Sequence, residues 1–367
     1  MYKAYTRPTH PSAIKTNSDI DFLIVGSGLA GSCTAWKLEQ LGLSYRIFND
    51  PNRDAASETA AGFINPITGK WMTKSWQIDQ LLPAAKDFYS TLEHKLQCSI
   101  YHPLAIRRYF IRATDAVRAL RKIKNPRFSP YLKTVLPRGE RACAIEDSYG
   151  SLIISQGQWV DVPEFLHQLK SYFKKKASLI EGAFDCAQLK PLDPLGQSGW
   201  TYRGLKAKRV VFCQGIHSRE NPFFKHLNLK PIKGELLTLE LPELHLSPGL
   251  YHKKHWLQAL PNACAEAAGR SHRFRLGASY EEGVSDLTPS SSAKKSLLKS
   301  LEAMTDRRPR ILEHKVGIRP YTEDAQPLIA QHPQYPSLYV INGLGSKGTA
   351  SAPYLARQLL QKLGYSD

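Results

Sequence analysis

The 367 residues include six cysteines, at 33, 98, 143, 186, 213 and 264, and no two of them form a Cys-x-x-Cys pair. Histidines do not gather beside them. That spacing indicates neither a zinc site nor a disulfide framework, so no metal is expected, and it suits a reducing cytoplasm. Long apolar runs are missing too: no stretch approaches the roughly 20 apolar residues that span a bilayer. Met1 to Asp19 lack the apolar core of a signal peptide, so a flexible N-terminal arm over 1–18 and a soluble, cytoplasmic protein are expected. There is no Ser-His-Asp grouping, paired-carboxylate pattern or phosphate-loop lysine, which leaves hydrolase and NTPase chemistry without an anchor. Internal repeats are absent as well.

Acidic residues are scarce. Fifty Lys and Arg stand against 32 Asp and Glu, a net charge of +18. Between Arg107 and Arg141 eleven basic residues meet only Asp115 and Glu140, so this segment carries +9, half the total. A field of that sign gathers anions and favours phosphate backbones; a solvated helix face is the other reading charge alone allows.

The residues present form a recognisable opening. Asp21 to Val25 is a short apolar run, as a parallel strand buried on both faces requires. Gly26-Ser27-Gly28-Leu29-Ala30-Gly31 follows at once, then a helix from Leu29 to Leu41 with an inward stripe of Ala30, Cys33, Trp36 to Leu38 and Leu41, stopped by Gly42. Tyr45 to Phe48 is the next strand, and Asp50 lies 19 residues past Gly31. Set between strand and helix, the glycines have a mechanical role. Gly26 permits the tight turn, Gly28 lets the backbone approach a pyrophosphate, and Gly31 lets helix and strand close up, leaving the first helical N–H groups facing the phosphates. Asp50 would take the ribose hydroxyls, or Asn49 if the strand ends one residue earlier.

Further along, Arg209 to Gly215 and Ser337 to Ile341 read as strands of the same sheet. The second runs into Gly343-Leu344-Gly345-Ser346-Lys347-Gly348 and a helix from about Ala350 to Leu363, with Pro353 in its first turn. A helix N-terminus with Lys347 beside it could stabilise negative charge on a bound cofactor. Leu236 to Leu241 and Arg273 to Ala278 alternate like hairpin strands, and Ser290 to Ser292 read as a helix-capping turn. Arg319, in Val316-Gly317-Ile318-Arg319-Pro320, suits bidentate capture of a carboxylate, although such an arginine is more often an ion-pair partner.

These segments, in this order over about residues 20 to 365, resemble the D-amino-acid oxidase and glycine oxidase family of FAD-dependent enzymes. Asp54 to Pro66 is similar to the family's loop beneath the flavin, which implies Ser57 and Gly62 at the cofactor. Gly157 to Pro163 resembles its Gly-Gly-Trp-Val-Asp-Pro segment, Cys213-Gln214-Gly215 its Ala-x-Gly turn, and Pro231 to Glu235 its Pro-x-Arg-Gly-Gln strand. Gly317 to Pro327 matches its Gly-x-Arg-Pro-x-x-x-Asp-x-x-Pro run, which implies that Arg319 grips the substrate carboxylate. Within the family, Gly343 to Pro353 and Gly277 to Gly283 look most like the oxidase domain of the bifunctional tRNA 5-methylaminomethyl-2-thiouridine biosynthesis enzyme. That domain removes a carboxymethyl group from the wobble uridine of tRNA.

The resemblance implies an α/β fold: an FAD-binding Rossmann-like domain with an inserted antiparallel-sheet substrate domain, as in glycine oxidase. The flavin domain is expected over 19–94, 150–220 and 313–367, and the substrate or cap domain over 95–149 and 221–312. It implies the cofactor-binding set Gly26 to Gly31, Asn49, Asp50, Ser57, Gly62, Cys213, Gly215, Gly343, Gly345, Ser346, Lys347, Gly348 and Thr349. Arg319, Lys347 and Trp256 are the catalytic candidates, Trp256 falling near a substrate-facing tyrosine of glycine oxidase. FAD is expected to be noncovalent, because no cysteine lies beside Arg319-Pro320. The expected reaction is C–N cleavage in a secondary amine bearing a carboxylate, by a free-standing oxidase with molecular oxygen as acceptor. The expected substrate is tRNA, held through 107–141; the alternative is a small-molecule amino-acid or amine oxidase or dehydrogenase acting on glycine, sarcosine, a D-amino acid or proline.

Overall fold

The computed structural model describes residues 19–139, 145–260 and 272–365. The expected arm over 1–18, Cys143, Cys264 and the Glu140–Arg141 end of the basic segment lie outside these.

The opening unit forms as its sequence requires. Strand β1 (Asp19–Val25) leads into helix α1 (Leu29–Gln40) and strand β2 (Tyr45–Asn49). β1 pairs in parallel with β2 on one side and with Leu205–Phe212 on the other; Leu179–Glu181 and Leu338–Asn342 extend the parallel set outward. Antiparallel strands Trp200–Tyr202, Lys190–Pro191 and Leu328–Gln331 complete an eight-stranded sheet. Phe22, Ile24, Ile47 and Val211 are fully buried in it, which is why these strands are apolar without alternation.

α1 departs from the expected one-sided stripe: Leu29 to Leu38 are all buried, Lys37 included. The helix lies between the sheet and the helices Gly348–Lys362 and Val162–Lys175, and its Gly, Ala, Ser, Cys and Thr side chains are small enough for close approach on every side. The C-terminal helix starts at Gly348, two residues before the expected start, so Pro353 lies beyond the first turn. Proline cannot donate to the carbonyl four residues back, that of Thr349. The hydroxyl of Tyr89, from the helix Ile78–Leu96, donates to Thr349 O instead, at 2.8 Å.

The second large sheet has nine strands, mostly antiparallel. At its centre Lys230–Glu240 pairs along its length with Arg310–Tyr321, and Arg273–Gly277, Trp256–Ala259 and Gly249–His252 continue from it. The boundary expected between 312 and 313 falls inside the continuous strand Arg310–Tyr321. Ser290 caps the helix Ser291–Glu302, its Oγ accepting from Ala293 N at 3.1 Å. No helix among the described residues is long and apolar enough to cross a membrane.

Candidate active site

A cavity of about 480 Å³ runs from the first glycine loop to the nine-stranded sheet. Gly26 to Ala30, Asn49, Asp50, Ser57, Gly62, Cys213, Gly215, Gly345, Ser346, Gly348, Thr349, Arg319 and Trp256 all line it. Among the candidates Gly31, Gly343 and Lys347 do not. Gly31 packs behind the loop, where any Cβ would collide with Gly26 O. Gly343 abuts Thr322, and Lys347 is half-buried between two lining residues, Ser346 and Gly348.

The loop has the shape that a pyrophosphate needs. Gly26 sits at φ +103° with its Cα against Cys213 O, so a side chain fits neither the backbone nor the space. A Cβ at Gly28 would meet Ser57 Oγ at 3.0 Å, and that hydroxyl accepts from Leu29 N at 3.1 Å, on the first turn of α1. The Ser27 hydroxyl is buried and has no hydrogen-bond partner among the described residues. A buried unpaired hydroxyl beside helix-terminal N–H groups fits an anionic ligand. The Asp50 carboxylate accepts from Asn52 N at 3.0 Å and lies 3.6 Å from Arg53 Nε. Burial pushes the Cys213 thiol up to about 12, which keeps it neutral.

The floor is built from distant segments. The short helix Ala56–Thr59 docks on Arg310–Tyr321, where Thr59 Oγ1 donates to Val316 O at 3.1 Å and lies 2.7 Å from the Cβ position of Gly317. Trp159 Nε1 donates to Ala61 O at 3.0 Å and Val160 N to Gly62 O at 2.9 Å, so the segment at 157–163 holds the Ser57–Gly62 loop in place. Asn342 Nδ2 donates to Gly215 O and Ser218 Oγ, both at 2.8 Å, and joins the ends of two parallel strands.

Arg319 projects over Gly234 of the neighbouring strand, and its guanidinium occupies the space a Cβ at 234 would need. Its Nη1 donates to Ser279 O at 3.4 Å, and no carboxylate among the described residues pairs with it. Burial lowers its affinity for its proton, against Tyr321 and Tyr280 nearby, which raise it. A guanidinium half-buried in a cavity without a counter-ion fits an anion, and its planar fork suits a carboxylate. Trp256 forms the wall beside it, edge-on to Phe63 with ring centroids 4.8 Å apart.

Gly234, Phe63, Thr59 and Asn342 were expected only as parts of longer segments, none of them as a site residue. Paired glycines inside two strands, Gly234 opposite Gly317, were the available signal, since strand glycines mark close approach.

A family model described as DAO, FAD dependent oxidoreductase, matches residues 21–362. The chain belongs to this family. It is 23% identical over 364 residues to the tRNA 5-methylaminomethyl-2-thiouridine biosynthesis bifunctional protein MnmC of Idiomarina loihiensis, covering 94% of this chain and 55% of that protein. The oxidoreductase thus spans about half the length of that relative. Glycine oxidase of Bacillus subtilis is 30% identical over 156 residues, 40% of this chain and 38% of that one. Among solved structures, glycine oxidase from Geobacillus kaustophilus superposes with a TM-score of 0.76 at 19% identity, covering 96% of both chains. Iminodiacetate oxidase from Chelativorans gives 0.71 at 20% identity, covering 94% of this chain and 96% of that one. The α/β flavoprotein fold expected from sequence is thereby shown.

Proposed function

We propose that the protein oxidatively cleaves the C–N bond of a secondary amine bearing a carboxylate, the carboxymethylaminomethyl group of a tRNA wobble uridine. The observation that carries this reading is the Arg319 guanidinium, which opens on the cavity without a counter-ion among the described residues. A glycine-type carboxylate bound there would leave its CH₂ and nitrogen between Arg319 and the cofactor end, the pre-positioning that makes such a reaction fast. Trp256 and Phe63 give the cavity an aromatic wall on that side. FAD, when bound, would supply the two-electron oxidant for loss of hydride from the carboxymethyl CH₂. The resulting imine adds water and releases glyoxylate and the primary amine. No side-chain base is needed, because the neutral amine drives the loss.

The Gly26–Gly31 loop would hold the pyrophosphate and Asp50 or Asn49 the ribose. Ser57, Gly62, Cys213, Gly215 and the 343–349 turn would surround the rest of the cofactor, held noncovalently. Burial lowers the proton affinity of Lys347, the residue that precedes the helix Gly348–Lys362, and in this reading its ammonium offsets negative charge on the reduced cofactor. Molecular oxygen is the proposed acceptor, the cytoplasm the proposed compartment, and the two sheets the cores of the proposed flavin and substrate domains. MnmC, similar over 94% of this chain, is named for tRNA 5-methylaminomethyl-2-thiouridine biosynthesis, which supports the choice of substrate.

The test is peroxide release by the FAD-loaded protein given tRNA carrying the carboxymethylaminomethyl group, against free glycine, sarcosine, proline and D-amino acids. Turnover of the tRNA with matching conversion of the nucleoside by mass spectrometry is expected. Turnover confined to the free amino acids would replace this reading with that of a small-molecule oxidase.

A further inference from the structure

Trp71 stands at the tip of a hairpin, Ile67–Thr68 against Thr73–Lys74, and is 57% exposed. Beside it the helix Ala113–Ile123 buries only Ala119 among its side chains and leaves Val117 and Leu120 half exposed. Cations surround the hairpin tip. The Arg118 guanidinium lies 4.6 Å from the centroid of the Trp71 ring and Lys70 Nζ 5.3 Å from it. Arg108 Nη1 donates to Gly69 O at 2.9 Å and Lys122 Nζ to Met72 O at 2.8 Å. Arg118 also pairs with a carboxylate, that of Asp115 at 2.9 Å. Burial, then Arg118, Arg108 and Arg127, lower the proton affinity of Lys122, a sign of like charges crowded together.

This cluster is joined to the active-site cavity through the nine-stranded sheet. Arg108 is the register partner of His252 on the neighbouring parallel strand, and His252 is paired in turn with Trp256 at the cavity wall. Phe63, packed on Trp256, precedes the first strand of the hairpin by four residues. One continuous stretch of structure therefore carries both the Trp256 end of the cavity and an exposed ring set among cations.

We propose that Trp71 is a stacking platform for an unpaired base of the RNA substrate, with Arg108, Arg118 and Lys122 on the flanking phosphates. An aromatic face accepts any base, and cations beside it follow the backbone, the combination that binds single-stranded nucleic acid. The inference rests on the tRNA reading above, and adds to it the place where the loop beside the modified nucleotide is held.

Fluorescence anisotropy of a labelled anticodon stem-loop with the FAD-loaded protein tests it, using Trp71→Ala, Trp71→Phe and heparin as a polyanion without bases. Trp71→Ala should weaken stem-loop binding about tenfold and Trp71→Phe only about twofold, with heparin affinity unchanged. Stem-loop binding by wild type that Trp71→Ala leaves intact would overturn the platform and spare the tRNA reading. Equal losses for stem-loop and heparin would overturn stacking in favour of charge alone. A wild-type protein that binds no stem-loop at moderate salt would overturn both.

Discussion

The guanidinium of Arg319 lies on the bare backbone of Gly234, and this one contact links a strand glycine to the proposed carboxylate site. Arg319→Met should lower kcat/KM for a carboxylate-bearing amine about 100- to 1,000-fold, because the substrate anion is left without its partner. The FAD content of the purified protein should not change; loss of FAD would place Arg319 in cofactor binding instead. Gly234→Ala should act on the same step from the other side. Its methyl group displaces the guanidinium, so KM should rise about tenfold or more while bound FAD is retained. Steady-state kinetics with unchanged KM would show that the guanidinium relocates without consequence.

Between elements, two small polar contacts hold the frame of the site. Tyr89 satisfies the carbonyl that Pro353 frees at Thr349, a residue of the cavity wall. Tyr89→Phe should cost about 1–3 kcal/mol, read as a lower midpoint in urea, since it leaves a buried carbonyl unpaired. At the start of β1, Asp21 accepts from Ser44 N at 2.9 Å, Ser44 Oγ at 2.7 Å and Lys208 Nζ at 2.8 Å, clamping three parallel strands. Burial opposes its ionisation, but the bonds from Lys208 and Ser44 outweigh it and bring the carboxyl from 3.8 down to about 2. A depressed carboxyl stabilises the fold fully above about pH 4 and loses that contribution as pH falls toward 2. Asp21→Asn should therefore cost about 1 kcal/mol at neutral pH and progressively less as pH falls through 2, measured by denaturant titration across that range.

The β1–α1–β2 unit was legible because its signals are local: an apolar run, a glycine turn and a helix of small residues, all within about 30 residues. The run Val316 to Pro320 made Arg319 a candidate, but only resemblance favoured carboxylate capture over an ion pair, since the place of its guanidinium depends on Gly234, 85 residues earlier. The burial of α1 on every side and the Tyr89–Thr349 bond across 260 residues have no local sign at all. Both are set by which helices pack together.

Over the whole molecule the charge is less uniform than its total suggests. Arg107 does not belong to the surface: it is buried, donating to Ser151 Oγ at 2.9 Å and pairing with Asp147 at 3.1 Å. Arg112, Arg121, Lys124, Arg127, Lys133 and Arg138 are exposed. Reversing Arg112, Arg121 and Lys124 to Glu should weaken tRNA binding and flatten its dependence on salt, by about 0.9 in log–log slope for each phosphate no longer neutralised. Flavin content should stay the same. An unaltered slope would remove this face from the RNA interface.

The claim that joins these levels is that Arg319 presents a tRNA-borne glycine unit for oxidation. Anaerobic stopped-flow mixing of the FAD-loaded protein with tRNA carrying the carboxymethylaminomethyl group reads it directly, as bleaching of flavin absorbance. Wild type should bleach in a single turnover and release equimolar glyoxylate, and Arg319→Met should bleach at least about 100-fold more slowly at the same tRNA concentration. No bleaching with this tRNA, or equal rates for the two proteins, would contradict it.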